Sequence, residues 1–155
     1  MTRPAIVIGI GNPDRGDDAV GVLVARQVAA ERLHVLALEF DDPSEALDAW
    51  DCGDTVIIAD AISSGGRPGD LHVVDVIQQK LPAGSWSAGG THALGLAAVV
   101  ELARSLDLLP GRLMVVGVEA GQFDHGAPLS EAVKAAIPSA TEAVLRVLEN
   151  GQGES

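Results

Sequence analysis

The sequence predicts an α/β fold: a three-layer sandwich built on a mostly parallel sheet of about five strands, with helices on both faces. Three observations carry this reading. Short apolar runs alternate with amphipathic helical patterns along the chain. The run "TVIIA", Thr55–Ala59, is continuously apolar, as a central strand covered on both faces must be. With 155 residues the chain can bury one sizeable core, and it contains no linker or internal repeat. Residues 1–150 are therefore read as one domain, and 151–155 ("GQGES" without a cap) as a frayed tail.

Each element follows from local pattern. Ala5–Ile10 is a buried strand that runs directly into the glycine-rich stretch "GIGNPDRGDDAVG". A helix is predicted from about Asp17 to Leu33, with Val20, Leu23, Val24 and Val28 on its apolar face. His34–Phe40 is the second strand, and "PSEALDAW" a short helix with Pro43 in its first turn. After the third strand, Thr55–Ala59, the connection "AISSGGRPGD" is too short for a crossover helix, so Leu71–Val76 is expected to pair antiparallel. A helix from about His92 to Leu106 presents Leu96, Val99, Val100 and Ala103, and Leu113–Val118 is the last strand. Ser130 is placed to cap a C-terminal helix, which Pro138 is expected to break into a short turn and a longer segment.

Composition excludes several functions. The formal net charge is −12, which repels nucleic acid and anionic membranes. Tyr is absent and aromatic residues make up 3%, too few for base stacking, so the core must be aliphatic. The single cysteine, Cys52, excludes an internal disulfide and an all-thiolate zinc site, and burial or incidental placement explains it better than a nucleophile. No stretch reads as a signal peptide or a membrane span, so a cytoplasmic location is expected.

A glycine loop after a strand usually cradles phosphate, yet this one carries Asp14, Asp17 and Asp18. Counted from Gly9, the dinucleotide fingerprint fails at its third glycine, because Asp14 stands there. Gly11 and Gly16 meet the phosphate-loop spacing, but Asp17 and Asp18 follow where Lys and Ser or Thr are required. Helix capping accounts for one carboxylate, at under ~1 kcal/mol, and not for three. A cation accounts for the surplus. Asp60 closes "TVIIA" and His92 opens a helix, both where loops at the carboxyl ends of strands converge. Two carboxylates and one imidazole suit nickel, zinc, manganese or iron, with coordination positions left open. Spacing alone does not choose between Asp17 and Asp18. His34 and His72 fit strand positions, and His125 fits an exposed loop. No zinc-protease helix motif or serine nucleophile elbow is present.

Taken together, "GIGNPDRGDDAVG", "VIIADAI", "THALGLAAVVELA" and "LMVVGVEAGQFDHGAPLSEAV" resemble, in that order, the hydrogenase maturation proteases. These endopeptidases trim the C-terminal extension from the large subunit of NiFe-hydrogenases. The resemblance implies that Asp18, Asp60 and His92 are the metal-contacting set, and it selects Asp18 over Asp17. It further implies that the metal is nickel already carried by the substrate, with another divalent metal expected to substitute in vitro. The partner is then the hydrogenase large-subunit precursor, and the enzyme itself is expected to be a monomer. Catalytic residues are not named by the resemblance, and the loop glycines Gly9, Gly11 and Gly16 shape the opening turn.

Two departures accompany the likeness. Many members carry glutamate where Asp18 stands. Many also have an Asp-Gly-Gly-Thr turn after the second strand, where this chain reads Glu39-Phe40-Asp41-Asp42-Pro43. Glu39 is the expected substitute for the missing carboxylate in binding substrate. Loss of that turn also allows a non-catalytic nickel- or precursor-binding maturation chaperone, and the glycine loop a flavodoxin-like nucleotide binder.

Overall fold

The computed structural model of this chain describes residues 3–82 and 95–152, the last two as backbone alone. Five strands form one sheet: β1 (Ile6–Ile10), β2 (Leu36–Phe40), β3 (Thr55–Ile62), β4 (Leu71–Asp75) and β5 (Arg112–Glu119). Their spatial order is β2-β1-β3-β5-β4. All neighbours are parallel except β4, which runs antiparallel to β5. The antiparallel strand is the expected one, but its partner is β5, which inserts between β3 and β4. Residues 63–70 are long enough to span the intervening strand, at about 3.3 Å per extended residue.

Alternation along the strands sorts the core into two layers. Val7, Ile57, Ala59, Val116 and Val118 face α1 (Val20–Glu31) and α3 (Glu131–Gln152). Ile8, Ile58, Ile62, Leu113 and Val115 face α2 (Leu96–Ser105) and the 3₁₀ turn Pro43–Asp48. Apart from Trp50 the buried core is aliphatic, and each fully buried Ile or Leu contributes about 1.5–3 kcal/mol. That is the scale against which the buried charges of this fold have to be set. On the α1 side, a side chain on Gly9 would meet the Gly21 carbonyl at 2.6 Å, so these two glycines let the helix lie close on the sheet.

The predicted first helix divides into a 3₁₀ turn, Gly16–Ala19, and α1, because the acidic residues are held in a tighter turn by contacts described below. α3 runs unbroken through Pro138, where the sequence predicts a break. An interior proline costs a helix about 3 kcal/mol. Here Pro138 is exposed, while Val133 and Ala136 before it and Ala140, Val144 and Val147 after it all pack into the same core layer. Burial on both sides of the proline holds the two halves in one line.

Candidate metal-recognition site

The opening loop leaves β1 at Gly11, whose φ of +137° is open only to glycine. A side chain there would collide with the Asp18 carbonyl, so this glycine brings Asp18 beneath the end of β1. Gly16, at φ +56°, lies against the Gln122 carbonyl in the same way. The glycines thus serve close backbone packing, not phosphate.

The loop's three carboxylates have three different environments. Asp14 is exposed. Asp17 is fully buried and accepts four hydrogen bonds: from Gly121 N at 2.9 Å, Gln122 N at 3.0 Å, Ser130 N at 2.7 Å and Ser130 Oγ at 2.9 Å. Asp17 therefore ties the opening loop to the segment before α3. Its backbone N–H reinforces the link by donating to the Gln122 carbonyl at 2.6 Å. Ser130 stands immediately before α3, where its carbonyl accepts from Lys134 N at 2.9 Å as a cap residue's does, and it also donates to Asp17. Asp18 is 3% exposed, accepts from Asn12 N at 2.9 Å and lies 3.9 Å from Arg15 Nη1. The Arg15 guanidinium itself sits over the Phe123 ring, 5.6 Å from its centroid.

Asp60 is 4% exposed, near the carboxyl end of β3. Burial pushes its pKa well above the ordinary carboxylate value, the negative charge of Asp18 adds to the rise, and a hydrogen bond from the Ala61 backbone opposes it. Asp18, from the opening loop, is thus near enough for its charge to be felt by Asp60 in the middle of the sheet. Two carboxylates crowded in a buried setting favour either a proton or a cation between them. The donor chemistry fits a divalent metal. Among the described residues no three His, Cys, Asp or Glu side chains gather closely enough to hold one alone. His92 lies outside the described residues. α2, which begins four positions later at Leu96, packs on the same face of the sheet to which alternation assigns Asp60.

Glu39 is placed elsewhere. It pairs in register with Gly9, on the α1 face, and its carboxylate takes two hydrogen bonds from Arg26 at 2.8 and 2.9 Å. The Arg26 hydrogen bonds lower the Glu39 pKa. Glu39 and Asp60 thus stand on opposite faces of the sheet. Asp42 instead accepts from Ser44 N at 3.0 Å and, with Glu45, forms a capping box for the Pro43–Asp48 turn. Cys52 is exposed, at the amino end of β3 and away from Asp60, so burial does not account for it and incidental placement does. His125 is exposed in a loop.

One acidic residue escaped the sequence reading. Glu119, 1% exposed, ends β5 as Asp60 nearly ends β3, and the run "LMVVGVE" offers the same signal as "TVIIAD". His72, read as an ordinary strand residue, has Nε2 3.3 Å from Glu119 Oε1.

Comparison with known proteins places the chain in a family. The HycI family model, described as hydrogenase maturation protease, matches residues 43–147. The chain is 31% identical to the hydrogenase expression/formation protein HupD of Rhizobium leguminosarum bv. viciae, over 94% of this chain and 74% of that one. Its fold is similar to the hydrogenase maturating endopeptidase HybD from E. coli, with TM-score 0.75 and 28% identity over 96% of this chain and 93% of that one. It is also similar to the [NiFe] hydrogenase maturation protease HybD from Thermococcus kodakarensis, with TM-score 0.73 and 27% identity over 93% and 98% of the two chains.

Proposed function

This chain belongs to the hydrogenase maturation protease family, and from that premise we propose that it reads nickel in the large-subunit precursor of a NiFe-hydrogenase before removing the C-terminal extension. Asp18 and Asp60 supply two oxygen ligands to the substrate's nickel, and His92 supplies the imidazole. The observation that carries this reading is the buried Asp18–Asp60 pair, in which Asp18 helps drive the Asp60 pKa upward. Such a pair is unfavourable by itself and becomes favourable when a divalent cation lies between the two carboxylates.

The consequence is a checkpoint. A precursor lacking nickel cannot make the metal–ligand bonds that dock it, so its affinity falls with the metal absent. The substrate thereby contributes part of its own recognition site. Incubating the protein with nickel-loaded and nickel-free precursor, and measuring the product by mass, tests this reading. Loaded precursor alone should lose its extension. Equal cleavage of both forms would overturn nickel recognition, and nickel-dependent capture without any cleavage would favour the chaperone.

A further inference from the structure

Cationic side chains are scarce in this chain, with ten Lys and Arg against 22 Asp and Glu, and yet one of them is buried in the opening loop. Arg15 is 8% exposed. An arginine is seldom this buried without a charge to answer. Its Nη1 lies 3.9 Å from Asp18 Oδ2, too far for a hydrogen bond and within reach of an ion pair. The turn itself fixes this spacing. Arg15 N donates to the Asn12 carbonyl at 3.2 Å, and the Arg15 carbonyl accepts from Asp18 N at 3.1 Å. Asn12 N donates in turn to Asp18 Oδ2 at 2.9 Å, so cation and carboxylate belong to one closed turn. The Phe123 ring, 5.6 Å from the guanidinium carbon, covers the cation. Asp17, by contrast, takes its four hydrogen bonds from neutral donors.

Resting on the nickel-recognition reading, we propose that Arg15 is a specificity-determining residue, whose fixed charge beside Asp18 disfavours free divalent ions and admits nickel already held by the precursor. A bare ion at Asp18 brings two positive charges to within a few ångströms of the guanidinium. Like charges at that range in a partly buried setting repel by more than thermal energy. Arg15 also cancels part of the field of Asp18, which then attracts a free cation less than an uncompensated carboxylate does. Nickel held by the precursor carries donors of its own that offset part of its charge, so the same repulsion acts on it less. The loop thereby presents a ligand oxygen without becoming a store of metal, and docking depends on the precursor. A purely structural role for Arg15 predicts the opposite sign, because a loop that loses its ion pair loosens and holds metal less tightly.

The test titrates Ni²⁺ alone, by calorimetry at fixed pH, into the full chain after dialysis against chelator and removal of the chelator. Arg15→Gln should bind Ni²⁺ at least about tenfold more tightly than the unaltered protein. Arg15→Lys, which keeps the charge, should show no such gain, and Asp18→Asn added to Arg15→Gln should abolish it. Free Ni²⁺ should also inhibit processing of loaded precursor by Arg15→Gln at lower concentrations than it does for the unaltered protein, by raising KM. Equal or weaker Ni²⁺ binding by Arg15→Gln overturns the proposal, as does a gain that survives Asp18→Asn. If Arg15→Gln melts early, Arg15→Met, whose thioether replaces the apolar stem, is titrated in the same way. An early melt of both makes Arg15 a structural charge and overturns the proposal as well. Equal cleavage of loaded and nickel-free precursor by the unaltered protein would overturn nickel recognition and this assignment with it, whereas unchanged Ni²⁺ affinity in the variant overturns the role of Arg15 alone.

Discussion

Asp17 and Ser130, separated by 113 positions in sequence, are joined twice: the Ser130 backbone N–H donates to Asp17 Oδ1 at 2.7 Å and its hydroxyl to Oδ2 at 2.9 Å. With the N–H groups of Gly121 and Gln122 also donating to Oδ2, the carboxylate closes the opening loop onto the segment that leads into α3. Asp18, the next residue, is held in place by that closure.

Asp17→Asn should therefore cost more than the loss of a helix cap. Its amide presents one oxygen and one nitrogen to donors that now meet two oxygens, so at least one donor faces another donor. Hydrogen bonds to charged groups are worth about 1.5–3 kcal/mol each, and a destabilisation of about 2–4 kcal/mol is expected by chemical denaturation. A loss under ~1 kcal/mol would restore the capping account.

Asp18→Asn should leave the fold intact and nearly abolish processing, because it removes a charged ligand without touching the Asp17 contacts. Asp18→Glu should retain part of the activity, since a carboxylate still reaches the metal. A processing assay with thermal melts distinguishes the two aspartates: Asp17→Asn acts through stability, Asp18→Asn through activity at unchanged stability. Wild-type processing by Asp18→Asn would remove Asp18 from the site.

Asp60 gives a dependence of stability on pH. Its folded pKa stands well above 3.8, so at pH values between the unfolded and folded pKa the folded state binds more protons than the unfolded state. Stability contributed by the protonated group is full below the unfolded value and is lost as pH rises through the folded value. Asp60→Asn removes this loss. In the absence of metal it should melt at a higher temperature than the unaltered protein near pH 7, with the difference shrinking as pH falls toward 4. A difference that stays constant across this range would show that Asp60 does not titrate as its burial implies.

Treatment with chelator should separate a metal carried by the substrate from a resident one. Protein dialysed against chelator and then freed of it should process nickel-loaded precursor at the original rate, whereas precursor stripped in the same way should not be processed. Stoichiometric metal retained by the protein through dialysis would point to a resident metalloprotease.

Pro138→Ala restores a helix N–H at an exposed position of α3 whose two flanks are already packed. A gain of about 1–3 kcal/mol in unfolding free energy is expected, read by chemical denaturation, with processing unchanged.

Much of this molecule was legible in the sequence because period and burial are local properties. The apolar runs marked all five strands, and Leu96, Val99, Val100 and Ala103 were the buried face of α2 as their spacing predicts. Asp60 stood out because a carboxylate closing an apolar strand conflicts with its surroundings, and the opening loop because it carries more carboxylates than capping explains. The choice between Asp17 and Asp18 was not legible from spacing, since adjacent acidic residues at a helix start are equivalent until their partners are known.

What only the tertiary structure decided are relations between distant segments. The sequence by itself determined the alternation of strands and helices, the aliphatic core and the surplus of negative charge in the opening loop. It did not determine that β5 lies between β3 and β4, and hence that Gly117 sets Asp60 and His72 on one face. Nor did it determine that Glu39 faces Arg26 on the other side of the sheet, or that Pro138 is carried within a continuous helix. The physical reason is common to these cases. Hydrophobic periodicity fixes which side of an element is buried, but the neighbour it meets depends on strand order and packing, and the role of a buried carboxylate depends on which donors that packing brings to it.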